Sequence, residues 1–238
     1  MHHPAGDAGP DLLMDNLTDM YERISMTLVG GMPREASVVM TPIRSIFARF
    51  RDEGWLDIDH GGWWPRLRRD GVHVVLIPQG GAVADLCRTL AASPRVDFLG
   101  FGGALSASLA VGQIVRPDAV RRSGSTDTLC LSPTTLSPAT PSDVAAPQTL
   151  VTVSHLLETY DSAAGLVADV ADMETWFAAS ALNQVGGTTL AAHLVITDRW
   201  PDAPFYDQDA NAGRHIRSSC DLFVQMLAAD LRGENGPT

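Results

Sequence analysis

The sequence predicts an α/β fold with a largely parallel sheet. Three observations carry that expectation. Short apolar runs of strand length alternate with stretches of helical periodicity. Glycine pairs or glycine-rich turns follow several of those runs, where a buried strand hands over to a helix. A chain of 238 residues, 45% hydrophobic and 19% charged, suffices for one packed α/β domain.

Residues 1–23 read as an N-terminal extension, Gly- and Pro-rich up to residue 12, with a short helix over 13–23. Ile24 to Gly31 (ISMTLVGG) reads as a buried strand ending in a tight turn. From Glu35 to about Glu53 the spacing of Val38, Val39, Ile43, Ile46 and Phe47 is helical. Val72 to Ile77 (VHVVLI) is a second buried strand, and Gln79-Gly80-Gly81 opens a helix through Val83, Leu86, Cys87 and Leu90. Asp97 to Leu99 reads as a strand stopped by the glycine-rich turn GFGGAL, and Val111 to Val115 as another. Residues 132–148, rich in Pro, Ser and Thr, lack periodicity and read as a flexible loop. Leu150 to Ser154 is strand-like, 173–185 an amphipathic helix starting near Asp172, Ala191 to Ile196 a late buried strand, and 211–232 a C-terminal helix. The elements between 24 and 232 form a single domain, followed by a tail over 233–238.

Composition removes whole classes of chemistry. All 17 basic side chains are arginine, so no lysine can form a Schiff base or sit in a P-loop. The formal net charge of -11 argues against nucleic acid as a partner. The basic cluster Arg66, Arg68, Arg69 reads as a solvated patch. Cys87, Cys130 and Cys220 are odd in number and widely spaced, which fits reduced thiols in a cytoplasmic protein. No metal-ligand spacing, signal peptide or membrane-spanning run is found, and no cofactor is expected.

Four segments place polar groups at element ends, where open α/β sheets bind ligands. In Gly30-Gly31-Met32-Pro33-Arg34-Glu35, Glu35 stands at a helix start, suited to a general base or merely to a cap. The second segment is Gly100-Phe101-Gly102-Gly103-Ala104-Leu105, with the tail Leu109, Val111-Gly112-Gln113-Ile114-Val115. The third, Asp172-Met173-Glu174, joins two acids at a helix start, where Asp172 can equally be a cap. The fourth is Thr197-Asp198, an acid at the mouth of a buried strand, able to hold and release a proton.

Taken in order, M-x-x-E, G-x-G-G-x-L…L-x-V-G-x-I-V, D-M-E and T-D resemble the nucleoside phosphorylase and nucleosidase superfamily over roughly residues 25–230. The resemblance is to its nucleosidase side: methylthioadenosine/S-adenosylhomocysteine nucleosidases, futalosine hydrolases and hopanoid-associated adenosyl nucleosidases. It implies a three-layer architecture, with a twisted mixed sheet partly closed into a barrel and flanked by helices. It implies cleavage of the N-glycosidic bond of a purine nucleoside or 5′-modified adenosine. Asp198 would protonate the purine, with Thr197 where a serine is common. Met173 and Glu174 would line the ribose, and Glu35 would activate water. Phe101, Gly102, Gly103, Ser154 and His155 would line the substrate. Phe101 and Ser154-His155 depart from the family pattern, which motivates a catalytically weakened nucleoside-binding protein as one alternative. Phosphorolysis is the other, and Arg34 is its candidate phosphate ligand. The resemblance also implies a homo-oligomer, a dimer first.

Overall fold

A computed structural model of the chain describes residues 10–33, 35–58, 61–90, 92–132, 148–155, 165–186, 188–200 and 210–231. Its first element corrects the expected strand at 24–31. Helix α1 spans Pro10–Val29 and contains that run. Ser25, Leu28 and Val29 are buried while Met26 and Thr27 are exposed, which is a helical period and not a strand period. Gly30 and Gly31 take φ of 66° and 80°, and their amides bond back to Met26 and Ser25 carbonyls at 3.0 and 3.1 Å. The glycine pair is therefore a helix C-cap. Arg66 is buried and donates to the Gly31 carbonyl, placing its charge at the negative end of α1. It is no solvated patch residue.

The first strand comes later than expected. β1 spans Ser37–Thr41, and α2 follows over Arg44–Asp52, so the stretch 35–53 divides into strand and helix. Val38, Val39 and Met40 are all buried, and a strand covered on both faces has no alternation to betray it. Next come β2 (Leu56–Asp57), β3 (Arg66–Arg69) and β4 (Val72–Leu76). A short 3-10 turn (Gly80–Ala82) leads into α3 (Val83–Cys87). β5 runs over Val96–Ala104, then β6 (Ile114–Val115), β7 (Pro117–Arg122) and β8 (Thr128–Cys130). The strand expected from Val111 is thus only two residues long. β9 (Gln148–Thr152), β10 (Val170–Asp172), α4 (Thr175–Gln184), β11 (Leu190–Arg199) and α5 (Ala210–Leu231) complete the order. Most of the loop expected over 132–148 lies outside the described residues, and Gln148 is already strand.

The strands form one mixed sheet in the order β2-β3-β4-β1-β5-β10-β9-β7-β8, with β11 on β5 and β6 on β11. β1 runs parallel to β4 and β5, and β11 parallel to β5, whereas β3 on β4, β6 on β11 and β10 on β5 are antiparallel. β11 pairs with β5 from Val96 to Ala104, so it takes one edge of β5. β1 and β10 divide the other edge, pairing at Val96–Phe98 and at Gly103–Ala104. Two apolar clusters cover the sheet. One gathers Phe98, Leu86, Leu150 and Leu182; the other gathers Phe50, Leu67, Leu99 and Phe223, with Phe101 and Ile216 packed on it.

The segment GFGGAL, expected as a turn, lies largely inside β5. A side chain at Gly102 would stand 2.7 Å from Val170, and at Gly103 2.9 Å from Asp198. These glycines admit close neighbours on a branching strand rather than reversing the chain.

Candidate active site

Asp198 owes its place to an irregularity. The β11–β5 register runs evenly to Ile196↔Gly102, then shifts, so that Asp198 faces Gly103 and Thr197 is the extra residue. A bulge of this kind re-aims a side chain. Asp198 is buried, with its Oδ1 accepting the Thr197 hydroxyl at 2.7 Å. Burial raises the Asp198 carboxyl above the usual carboxylate range, and hydrogen bonds from Thr197 and Trp200 only partly offset it. The result is an acid biased toward holding its proton, set against a backbone with no side chain in the way.

Glu174 approaches from the other side of β5. Ala171 pairs with Gly103, and the chain then turns so that Glu174 precedes α4. Its Oε1 accepts the amide of Gly80 at 2.8 Å, which joins the β4–α3 turn to this site. Glu174 is buried, and burial with the Asp172 charge pushes its carboxyl up to about 7. A carboxyl so placed is costly to ionise in the folded chain. The folded state keeps a proton that the unfolded chain loses near 4.5, so this stabilisation is complete below 4.5 and is lost as pH rises through about 7. Glu174→Gln is therefore expected to gain about 2–3 kcal/mol of stability at pH 8 relative to wild type, and little at pH 4. Urea denaturation at the two pH values measures the difference.

The other expected residues distribute unevenly. Met173 is half-buried beside Glu174, Gly102 is buried, and Phe101 is half-buried against the cluster that holds Leu99 and Phe223. Ser154 and His155 follow β9, exposed and bonded to each other at 3.0 Å. Arg34 lies outside the described residues. Glu35 is exposed in a turn before β1. The Val38 amide bonds to the Arg95 carbonyl just before β5, which puts Glu35 at the amino ends of the parallel strands. Asp198 lies toward their carboxyl ends, so the structure does not bring the two acids together. The residues that do end β1 are Thr41-Pro42-Ile43, with the Thr41 hydroxyl accepting the Ile43 amide. Trp64 and Trp176 pack on the core, and Trp63 is 76% exposed.

Sequence reasoning passed over Gly80 as a ligand of Glu174, and it left Asp172 as a possible cap. The D-x-x-T spacing of Asp172 and Thr175 was the available signal for the latter, since a carboxylate three residues ahead of a helical amide can cap it. Among the described residues no group of three His, Cys, Asp or Glu could hold a metal ion, and no helix is long and apolar enough to cross a membrane. A cavity of about 310 Å³ opens between residues 110–114 and α5, lined by Gln113, His215, Ser219 and Leu222 among others. Neither Asp198 nor Glu174 lines it.

The mixed sheet that branches at β5 and is flanked by helices is the nucleoside phosphorylase and nucleosidase fold. Solved structures share it across nearly their whole length. A 5′-methylthioadenosine/S-adenosylhomocysteine nucleosidase from Campylobacter jejuni aligns with a TM-score of 0.66 at 10% identity, covering 81% of this chain and 96% of its own. Futalosine hydrolase of Helicobacter pylori aligns at 0.65 and 13% identity, covering 84% and 98%. An AMP nucleosidase from Bacteroides thetaiotaomicron aligns at 0.63 and 18% identity, covering 90% and 99%. At these identities the likeness establishes the fold. No family model matches the chain, and no curated protein matches it.

Proposed function

We propose that this chain cleaves the N-glycosidic bond of a purine nucleoside or 5′-modified adenosine by hydrolysis, releasing free base. The observation that carries the reading is Asp198, a buried acid with a raised pKa facing the bare backbone of Gly103. In such a reaction the sugar becomes an oxocarbenium-like cation while the base departs. A neutral acid that protonates the base improves the leaving group, and a carboxylate beside the ribose binds its hydroxyls and stabilises the growing cation. Asp198 supplies the first group and Glu174 the second. Structural neighbours support the class, since those named above are nucleosidases or a hydrolase of related substrates. The test is to incubate purified protein with a panel of adenosine derivatives and follow free base. Base released only with phosphate present would replace hydrolysis by phosphorolysis.

One observation favours a second reading, a nucleoside-binding protein of low turnover: Glu35, the expected water-activating group, stands at the opposite strand ends from Asp198. A general base must reach the proton it removes. On either reading Glu35→Gln is expected to change kcat/KM by less than about twofold, because no reacting atom lies within its reach. Calorimetric titration with the same nucleosides separates binding from turnover.

The pH profile follows from the two carboxyls. Glu174 must be ionised to accept ribose hydroxyls, so it contributes a limb on which kcat/KM falls as pH drops. Asp198 must be protonated, so a second limb is expected on which kcat/KM falls as pH rises, and the two limbs belong to the pair of acids together. The bell-shaped profile should lose its acid limb in Glu174→Gln, and an unchanged limb would remove Glu174 from that role.

A further inference from the structure

The turn that carries Glu174 is held by its neighbours, since Glu174 itself makes no cap bond. Asp172 ends β10 and is buried. Its Oδ1 accepts the hydroxyl of Thr152, on β9, at 2.6 Å. Its Oδ2 accepts the Thr175 amide at 2.8 Å and the Thr175 hydroxyl as well. The Thr152 oxygen in turn accepts the Trp176 amide at 2.9 Å. One carboxylate and one hydroxyl thus tie the first two amides of α4 to the ends of two strands. Glu174 sits between the tied residues, and its carboxyl meets the Gly80 amide.

We propose that Asp172 is a positioning residue that acts through Glu174, fixing the turn that aims Glu174 at the substrate's ribose. Its contact partners are all donors, a set that favours the ionised form. Burial works in the other direction and raises the Asp172 carboxyl. Three donors meet its two oxygens, so the carboxylate keeps hydrogen bonds at both of them when ionised. An ionised Asp172 then opposes a second charge on Glu174. The surroundings of Glu174 add little else of that kind. α4 carries no charged side chain. On α3, Asp85 is paired with Arg88 at 3.0 Å. The turn before it presents the Gly80 amide, and β11 presents Asp198 across Gly103. Glu174 is therefore only partly ionised near neutrality, and ribose hydroxyls that donate to it favour the ionised form.

The role of the ribose rests on the nucleosidase reading, but two readouts do not need activity. In full-length protein labelled with 13C at glutamate carboxyls, the Glu174 resonance is assigned by its loss in Glu174→Gln. Asp172→Asn is expected to lower its titration midpoint by about one pH unit or more. An unchanged midpoint in folded Asp172→Asn overturns the proposal. Thr152→Val keeps both acids and removes the hydroxyl bridge. It is expected to speed hydrogen exchange at the Gly80 amide about tenfold, as the loss of one hydrogen bond loosens the turn. Unchanged exchange there overturns the proposal too, and this arm stands if Asp172→Asn does not fold. Thr152→Val should also raise KM more than it lowers kcat. If wild-type protein releases no base from any nucleoside, the nucleosidase reading fails while the midpoint and exchange still judge Asp172.

Discussion

Asp198→Asn is expected to lower turnover by about 10²–10⁴-fold while leaving nucleoside binding in place. Asparagine keeps the shape of the side chain. Its carbonyl oxygen can still accept the Thr197 hydroxyl, and its small amide still fits against Gly103, where no Cβ intrudes. What it lacks is a transferable proton. The loss should therefore appear in kcat, with the dissociation constant of a non-cleaved nucleoside analogue little changed. Single-turnover release of base, beside calorimetric binding of the analogue, checks both halves. Unchanged turnover would take Asp198 out of the mechanism. A matching test of geometry is Gly103→Ala, which forces a methyl to within 2.9 Å of the Asp198 Oδ2. The acid would have to move, and turnover should fall although every titratable group remains.

The residues of this site were legible in sequence to different degrees, for physical reasons. Asp198 could be found because it stands at the end of a buried apolar strand, and Glu174 because two acids in Asp172-Met173-Glu174 open a helix. Glu35 was misplaced because ISMTLVGG satisfies two readings at once. A run of six mostly apolar residues closed by glycines fits a buried strand or the last turns of a helix, and periodicity over so short a stretch does not separate them. The buried face of Ser25, Leu28 and Val29 separates them only once the partner surface exists. Choosing the strand shifted the first β-element by about one helix and carried Glu35 with it. The glycines of β5 misled in a related way. They signal a turn when read locally, yet their cause is crowding by Val170 and Asp198, which are far away in sequence. The Gly80 amide carries no side-chain signal at all.

The other end of β5 should show a large effect of another kind. Asp97→Ala is expected to destabilise the fold by about 3 kcal/mol while sparing the chemistry of Asp198. Asp97 is 1% exposed and His193 is fully buried. The carboxylate meets Arg95 Nε at 2.6 Å and His193 Nε2 at 3.1 Å. Burial alone would raise Asp97, but the hydrogen bonds from His193 and Arg95 and the positive charge beside it outweigh it and hold the carboxyl below its usual range. Burial lowers His193, with Asp97 opposing, so its ring is neutral and donates Nε2–H to the carboxylate. The ion pair is therefore Arg95 with Asp97, and His193 adds a neutral donor. Alanine removes the acceptor from both at once and leaves a buried N–H facing a small void, the costly way to break a buried pair. A depressed carboxyl contributes stability above its unfolded pKa and loses it as pH falls through its folded one. The gap between wild type and variant should thus be full at neutral pH and narrow in acid. Denaturant titrations at pH 7 and pH 3 measure it, and a gap that widens in acid would contradict an ionised Asp97. Because Asp97 and Gly103 share one strand but not one end, the folded fraction of the variant should turn over like wild type.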